Sequence, residues 1–391
     1  MTTEEARRRP RDRRASIVAA AAAQFHDRGY AAVTMGGLAA EVGITAAALY
    51  RHFRGKQELL QQTVLDGLGG FLGPADAAAD LDTLIEAFAL ASLDRRRLAA
   101  LWLREARHLT HDQRAEVKQR FSAVASRVAA LLAERRSDLS AADIDLLGNA
   151  ALAVLSSPAQ HGIEPPRAQY ARLLAAMAAD VMEAPAPGIG PGERAAAPVR
   201  VPVPEWRRTS RREELLAVAA HLFAECGYPA VSMEDIGAGA GMAGPSVYKH
   251  YPGGKAEILV AAFQRGHQVL QYEMARALAA AESARDGLER IMHSYARLAV
   301  ESVDLVGVLT TEAGHLPADA RQQFLRDRRD YLDAWVRLLT SSWPGLDTVD
   351  ARLRVHAGLA IVNDCVRTPH LLPIAGLDVA LARLGLAVLT P

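Results

Sequence analysis

The chain has few of the residues that would tie it to an oxidising compartment, a membrane or a metal ion. It has two cysteines in 391 residues, Cys226 and Cys365, which excludes a disulfide framework and gives no metal-ligand spacing. No apolar run reaches the roughly 18 residues that a membrane-spanning helix needs. The arginine-rich N-terminus also has no apolar segment of the signal-peptide type. We therefore expect a cytoplasmic protein with no membrane partner.

Aromatic residues and excess charge are also scarce. Aromatics make up 5% of the chain, and its formal net charge is zero. Few aromatics beside abundant alanine and leucine favour helices over sheets, and zero net charge excludes a general attraction to nucleic acid. Any such attraction must be local. Two clusters could supply it: residues 7–14 hold six arginines and one acid, and residues 207–212 hold four arginines and no acid.

One stretch of the sequence occurs twice. Residues 29–60 recur as residues 227–259, with an offset of 198 that becomes 199 after one inserted glycine. In each copy a threonine or serine caps a short helical segment, a glycine supplies a tight turn, and a second helix ends in an aromatic and basic cluster. This order of elements is typical of a helix-turn-helix motif.

Both copies resemble the DNA-binding head of TetR-family transcriptional repressors. A single helix-turn-helix match would be weak, but here several points match and recur in register within one chain. The matching segments are Thr34 and Ser232, Val42-Gly43-Ile44 and Ala240-Gly241-Met242, Tyr50-Arg-His-Phe53 and Tyr248-Lys-His-Tyr251, and Lys56 and Lys255.

The resemblance implies a set of side chains that hold DNA phosphates. Hydroxyl, imidazole and ammonium groups can all donate to phosphate oxygens. The alternative is that the threonine and serine only cap helices and that the tyrosines only pack. The implied phosphate ligands are Thr34, Tyr50, His52 and Lys56 in the first copy, and Ser232, Tyr248, His250 and Lys255 in the second.

The second helix of each copy carries the residues that would read bases. Only Arg51 and Lys249 can make strong contacts to guanine edges, whereas alanine and the threonine methyl group can touch thymine methyl groups. Three glycines at 237, 239 and 241 are expected to weaken the second copy. The predicted reading positions are Thr45, Ala46, Ala47 and Arg51, and Ala243, Gly244, Pro245, Ser246 and Lys249.

The duplication extends beyond the motifs. Residues 103–114 align with 310–321, and 139–155 with 346–362, at an offset of 207. Two units do not make a solenoid, but they are what a fused homodimer would look like. The predicted divisions are a disordered arm (1–12), a first head (13–67), a first helical body (76–183), a proline- and glycine-rich linker (184–204), a second head (207–266) and a second body (268–390).

Helical periodicity gives the expected elements of the first unit. We predict helices from Arg13 to Asp27, from Met35 to Glu41, up to about Tyr50, and from Lys56 to about Gly67, where the segment 67–74 breaks the last one. Body helices are predicted over 81–93, 98–109, 112–135, 141–157 and 166–183.

The resemblance also implies two tasks for the bodies: a four-helix interface from their late helices, and an apolar cavity for an effector. Glu105/His108 and Glu312/His315 are i, i+3 pairs, which permit a metal site only if two such pairs converge. An ion pair, a hydrogen bond or a polar spot in the cavity is the simpler interpretation. The predicted lining residues are Leu101, Trp102, Glu105, His108, Tyr295, Leu309, Glu312 and His315.

The sequence therefore predicts an all-α protein of two TetR-like units arranged as an intrachain pseudo-dimer. We expect it to bind double-stranded operator DNA, most simply as a repressor that a small, largely apolar effector releases, with a further homodimer possible. No catalytic motif is present, so we expect no enzyme activity, cofactor or metal. The alternatives are a ligand-sensing or partner-binding protein with weakened heads, and a helical-bundle metalloenzyme.

Overall fold

A computed structural model of the chain describes residues 10–30, 32–96, 101, 105, 108–188 and 210–391. Within these ranges the regular structure is helical, with no strand. The first repeat contains α1 (Pro10–Arg28), α2 (Met35–Glu41), α3 (Ala46–His52), α4 (Lys56–Ala77), α5 (Leu81–Asp94), α6 (His111–Arg135), α7 (Ala141–Ser156) and α8 (Arg167–Met182). The second contains α9 (Arg211–Cys226), α10 (Met233–Gly239), α11 (Gly244–Val247), α12 (Gly254–Ala279), α13 (Ala284–Glu301), α14 (Val303–Thr311), α15 (Ala318–Ser342), α16 (Thr348–Val366) and α17 (Leu377–Leu389).

Side-chain caps set where many of these helices begin. The first N–H groups of a helix lack intrahelical partners, and a preceding serine, threonine or aspartate can accept from them. Ser140 accepts from the N–H of Asp143 and so starts α7. Asp347 accepts from Val349 and Asp350 and starts α16. These two caps lie at equivalent positions of the aligned repeats, so the duplication seen in the sequence is also a duplication of local structure.

Two predicted helix limits are corrected. Helix α4 does not end near Gly67 but runs through the glycine-rich segment to Ala77, with Pro74 inside it. Pro74 stands in the last turn, and its missing N–H removes one hydrogen bond, to the carbonyl four residues earlier. Helix α1 begins at Pro10, inside the predicted arm. Residues 1–9, most of the linker and most of 98–109 lie outside the described residues.

The chain divides into two compact units that cut across the repeats. One consists of residues 1–128 with 158–162, and the other of 129–157 with 163–391. The second unit therefore contains the late helices of the first repeat and all of the second. The domain limits drawn from the sequence remain predictions. Among the described residues, no helix is both long enough and apolar enough to cross a membrane.

A four-helix assembly within the second unit joins the repeats. Helix α7 packs on α8 and α16, and α17 packs on α8 and α16. Leu146, Ala150 and Val154 of α7 are fully buried, as are Ala357 and Ile361 of α16. Late helices of both repeats thus share one core, which confirms the predicted intrachain pseudo-dimer.

The polar contacts between the two repeats in this assembly are not symmetric. The Ser156 hydroxyl donates to Asp364 at 3.0 Å, and His370 Nε2 lies 2.9 Å from Asp145 Oδ2. The position equivalent to Asp145 is Arg352, which donates instead to Asp333 of its own repeat at 2.6 Å. The His370–Asp145 contact therefore has no acidic counterpart on the other side.

Candidate nucleic-acid interface

The first head places two short helices around a glycine turn. Thr34 accepts from the N–H of Gly37 and starts α2, and Thr45 accepts from Ala48 and starts α3. Gly43 has φ 67° between them, in the left-handed region that glycine adopts without strain. Leu38 and Leu49 are buried in the head core. These contacts fix α3 as an outward-facing helix.

The second head has the same order but a shorter second helix. Ser232 and Asp235 form a reciprocal capping box at the start of α10, and Gly241 supplies the turn with φ 66°. Helix α11 spans only Gly244–Val247, with Pro245 in its first turn as expected. Residues 248–250 continue it as a turn.

The glycines of the second head have packing roles. A Cβ on Gly237 would lie 2.8 Å from the Met242 carbonyl oxygen and 3.1 Å from the Gly244 nitrogen. A Cβ on Gly239 would lie 2.6 Å from Val218 Cγ1. These two glycines therefore allow a close approach of backbone and side chains. This packing role stands beside the expectation that the glycines weaken the second head, which stays a prediction.

Most predicted reading positions are accessible. Tyr50 and Tyr248 are 53% and 47% exposed, which is unusual for large aromatics. Gly244 is buried against Glu234, so it is not accessible to a base edge. Its prediction as a base-reading residue is corrected. Ser246, His52 and His250 are half-buried, and the exposed positions are Thr45, Ala46, Ala47, Arg51, Ala243, Pro245 and Lys249.

The capping hydroxyls differ between the heads. Thr34 accepts a hydrogen bond, and an accepting hydroxyl still has its own hydrogen to donate to a phosphate. The Ser232 hydroxyl both accepts from the Asp235 N–H and donates to its carboxylate at 2.6 Å. In this arrangement Ser232 acts as a helix cap and its hydroxyl hydrogen is bonded to Asp235. Its role as a phosphate ligand stays a prediction.

The equivalent lysines of the two copies are used inside the heads. Lys56 Nζ donates to the carbonyls of Tyr30 and Val33, both at 2.8 Å, and lies 4.3 Å from the centre of the Tyr30 ring. Lys255 does the same with Tyr228 and Val231. Burial lowers the pKa of both ammonium groups, against a smaller opposing effect of nearby carboxylates. Both lysines therefore position the loop before α2 or α10. Their role as phosphate ligands stays a prediction.

Sequence reasoning missed a pair of arginines, because it treated them as part of a charged cluster. Arg14 donates to the His52 carbonyl at 3.0 Å and lies 4.4 Å from the centre of the Phe53 ring. Arg212 donates to the His250 carbonyl and lies 4.0 Å from the centre of the Tyr251 ring. Each arginine thus holds the C-terminal end of a reading segment. Arg14 and Arg212 are 198 positions apart, the same offset that relates the two motifs, and this agreement could have identified them from the sequence.

Several predicted effector-lining residues lie where a head meets its body. Leu101 is part of the first head's core, and Leu309 packs against the second's. His108 stacks on Tyr30 and His315 on Tyr228. Glu105 and Glu312 are 3.4 Å and 3.9 Å from these histidines, as the ion-pair interpretation expected. These contacts join head to body, and the assignment of Leu101, Glu105, His108, Leu309, Glu312 and His315 to an effector cavity stays a prediction.

The two remaining candidates differ. Tyr295 lies in the second body, where its hydroxyl donates to Asn363 at 2.7 Å, and burial raises its pKa to about 12. Trp102 lies outside the described residues. Within the part of the chain that the structure describes, no group of three or more His, Cys, Asp or Glu side chains is arranged to hold a metal ion.

The fold and the two motifs define an all-α protein with paired helix-turn-helix heads. A profile described as "Bacterial regulatory proteins, tetR family" matches residues 17–63 and 215–262. A second, described as "Tetracyclin repressor-like, C-terminal domain", matches residues 74–183. Together these ranges cover just over half of the chain. The chain belongs to the tetR family of bacterial regulatory proteins.

Individual relatives match one part of the chain. It is 33% identical over 135 residues to the HTH-type transcriptional repressor KstR2 of Mycobacterium tuberculosis, a match that covers 33% of this chain and 65% of the relative. The solved structure of M. tuberculosis KstR2 is 22% identical and covers 46% of this chain and 95% of its own, with a TM-score of 0.42. The regulator PfmR from Thermus thermophilus is 24% identical and covers 46% and 97%, with a TM-score of 0.40.

Proposed function

We propose that this protein is a sequence-specific DNA-binding transcriptional regulator, acting as a repressor. Its family membership and the KstR2 relative support the class. The observation that carries the proposal is the reading surface of the first head. There an exposed Tyr50 and Arg51 stand on a helix that Thr45 caps at one end and Arg14 holds at the other. A helix fixed at both ends loses little entropy on docking into a major groove.

Selection of bound sequences from random duplex DNA tests this proposal. The full chain should enrich a defined sequence, and Arg51→Ala should relax the preference at one base position, since an arginine–guanine pair is worth about 1–3 kcal/mol of discrimination. Lys118→Ala removes an exposed positive charge from α6 and serves as the control. Enrichment of no sequence, with only salt-sensitive general binding, would rule out sequence-specific reading.

We further propose that one chain is the complete DNA-binding unit. The four-helix assembly already pairs the two repeats within the chain. Its His370–Asp145 and Ser156–Asp364 contacts join unlike partners, and two copies of one repeat would not reproduce them. Because the two reading segments also differ in sequence, the operator should consist of two unlike half-sites.

A small, largely apolar effector that releases the DNA completes the proposal. It is supported by the helical bodies, whose cores are almost entirely aliphatic and aromatic. Native mass spectrometry of the intact chain, with candidate ligands added, should show a bound small molecule that also lowers affinity for the selected duplex. A ligand that binds without altering DNA affinity would contradict the release step.

A further inference from the structure

A tyrosine in the second head receives contacts from both head and body. Tyr228 follows Gly227, which ends α9 with φ 82°. Its backbone N–H donates to Glu312 Oε2 at 3.0 Å, and its carbonyl accepts from Lys255 at 2.8 Å. Its ring stacks on His315, with centroids 5.4 Å apart and planes 23° apart. The loop before the reading motif is thus held by the head through Lys255 and by the body through Glu312 and His315.

Glu312 is an unusual residue for this place. It is fully buried, and it follows the last residue of α14. Charged side chains are seldom buried without compensating hydrogen bonds. Glu312 accepts from the Tyr228 N–H and from the Thr311 hydroxyl at 2.7 Å. Hydrogen bonds to a carboxylate are stronger than neutral ones, so this contact ties the end of a body helix to a head loop.

The first repeat contains the same arrangement of side chains. Tyr30 stacks on His108 with centroids 4.7 Å apart, and Lys56 donates to its carbonyl. Glu105 is only 6% exposed and lies 3.4 Å from His108. Burial and, secondarily, the Glu105 charge raise the pKa of Tyr30. The reading segments of the two heads differ, but both repeats have this joint between head and body, in which a tyrosine stacks on a histidine beside a buried glutamate. The hydrogen bond from the tyrosine N–H to the carboxylate is seen at Glu312.

We propose that Glu312 and Glu105 are positioning residues that set the orientation of each head on its own body. A displacement of α14 moves Glu312, and with it the Tyr228 backbone and the loop that leads into α10. Changes in a body therefore reach its DNA reader through this carboxylate. The DNA part of the inference rests on the proposed function, whereas the mechanical joint does not.

The test compares three variants of the full chain by two readouts. Glu312→Leu keeps apolar bulk but removes the acceptor, Glu312→Gln keeps a carbonyl acceptor without the charge, and Glu301→Leu changes an exposed glutamate at the end of α13. Hydrogen exchange of the peptide containing Tyr228 measures how firmly the Tyr228 N–H is bonded to Glu312. Affinity for a duplex selected by the unaltered chain measures DNA binding by the heads.

In Glu312→Leu, the Tyr228 amide should exchange about tenfold faster or more, because a buried N–H loses its acceptor. Affinity for the selected duplex should fall by a similar factor, since the head must be oriented on binding. Glu312→Gln should restore most of both, and Glu301→Leu should change neither. Amides within α10 should keep their exchange rates in every variant.

Unchanged Tyr228 exchange in Glu312→Leu would overturn the joint. Uniformly faster exchange through α10 and the body would overturn it as well, because the carboxylate would then be a general stabiliser. If the unaltered chain selects no duplex, the proposed function fails, while the exchange experiment still decides the joint. Should Glu312→Leu not fold, the pair Glu312→Ala, which removes the acceptor, and Lys255→Met replaces it. Effects on Tyr228 exchange must then be non-additive, because both residues hold the same loop; additive effects would overturn the proposal.

Discussion

The two heads share their internal supports and differ in the surface they present. Both have an arginine on the C-terminal end of the reading segment and a lysine on the loop before the motif. Their reading helices differ: α3 has seven residues and α11 has four. The supports depend on backbone carbonyls and buried rings, which tolerate little change. The exposed positions carry no such constraint, and their residues differ between the two copies.

The turn shows the same contrast in detail. Ile44 donates to the Ala39 carbonyl at 2.9 Å in the first head, and Met242 donates to the equivalent Gly237 at 2.8 Å in the second. The hydrogen bond is present in both heads, although the accepting residue is alanine in one and glycine in the other. In the second head, Met242 and the start of α11 lie so close to Gly237 that a methyl group at this position would have no room.

Substitution at this turn should give the largest difference between the heads. Gly237→Ala places a Cβ 2.8 Å from the Met242 oxygen, and such overpacking costs about 1–3 kcal/mol. Ala39→Gly in the first head should cost about 1 kcal/mol through helix propensity. Hydrogen exchange within each head gives the free energies of local opening. No loss in Gly237→Ala would show that the second turn has room for a methyl group.

Substitution of the two supporting arginines should have the next largest effect. Arg14→Ala and Arg212→Ala each remove a hydrogen bond to the end of a reading segment and a cation–π contact, which together are worth roughly 1–2 kcal/mol. Affinity for the selected duplex should fall about tenfold in each, with Arg28→Ala, a change at an exposed arginine in the last turn of α1, as the control. A loss in one variant only would mean that the other head does not touch DNA.

Removal of the exposed tyrosine hydroxyls should have a smaller effect. Tyr50→Phe and Tyr248→Phe keep the rings and remove the hydroxyls that we propose donate to phosphates, so affinity should fall about threefold to tenfold on all sequences alike. Fluorescence anisotropy on selected and unrelated duplexes measures this. A change confined to one sequence would make the tyrosine a base reader.

The capping box should give the smallest effect. Asp235→Ala removes the acceptor of the Ser232 backbone N–H, bonded at 2.8 Å, and should cost about 0.5–1 kcal/mol of local stability. It also frees the Ser232 hydroxyl, so DNA affinity should rise slightly or stay constant. A clear loss of affinity would show that Asp235 helps to present the head to DNA.

Sequence patterns predicted the features that depend on neighbouring residues. Thr34, Thr45 and Gly43 were predicted as caps and turn from the local order of residue types, and the structure confirms these structural roles. The late-helix pairing was also predicted, because a duplicated dimerising unit has its partner in the same chain.

Features that depend on distant residues were predicted less well. Arg14 meets His52 across 38 positions, and nothing in an arginine cluster distinguishes the one that folds back. Lys56 was assigned to phosphates by family resemblance, and its bonds to the carbonyls of residues 30 and 33 were not predicted because backbone atoms leave no trace in the sequence. Gly244 was placed on the reading surface because a glycine shows no preference between exposure and close packing.

The stoichiometry of the DNA complex tests the central claim, that one chain with two unlike heads is the reading unit. Light scattering on the full chain bound to its selected duplex should give one 42.0 kDa chain per duplex. The selected sequence should contain two different half-sites. Two chains bound to one short palindrome, with Tyr248→Phe and Arg212→Ala both without effect, would contradict the account.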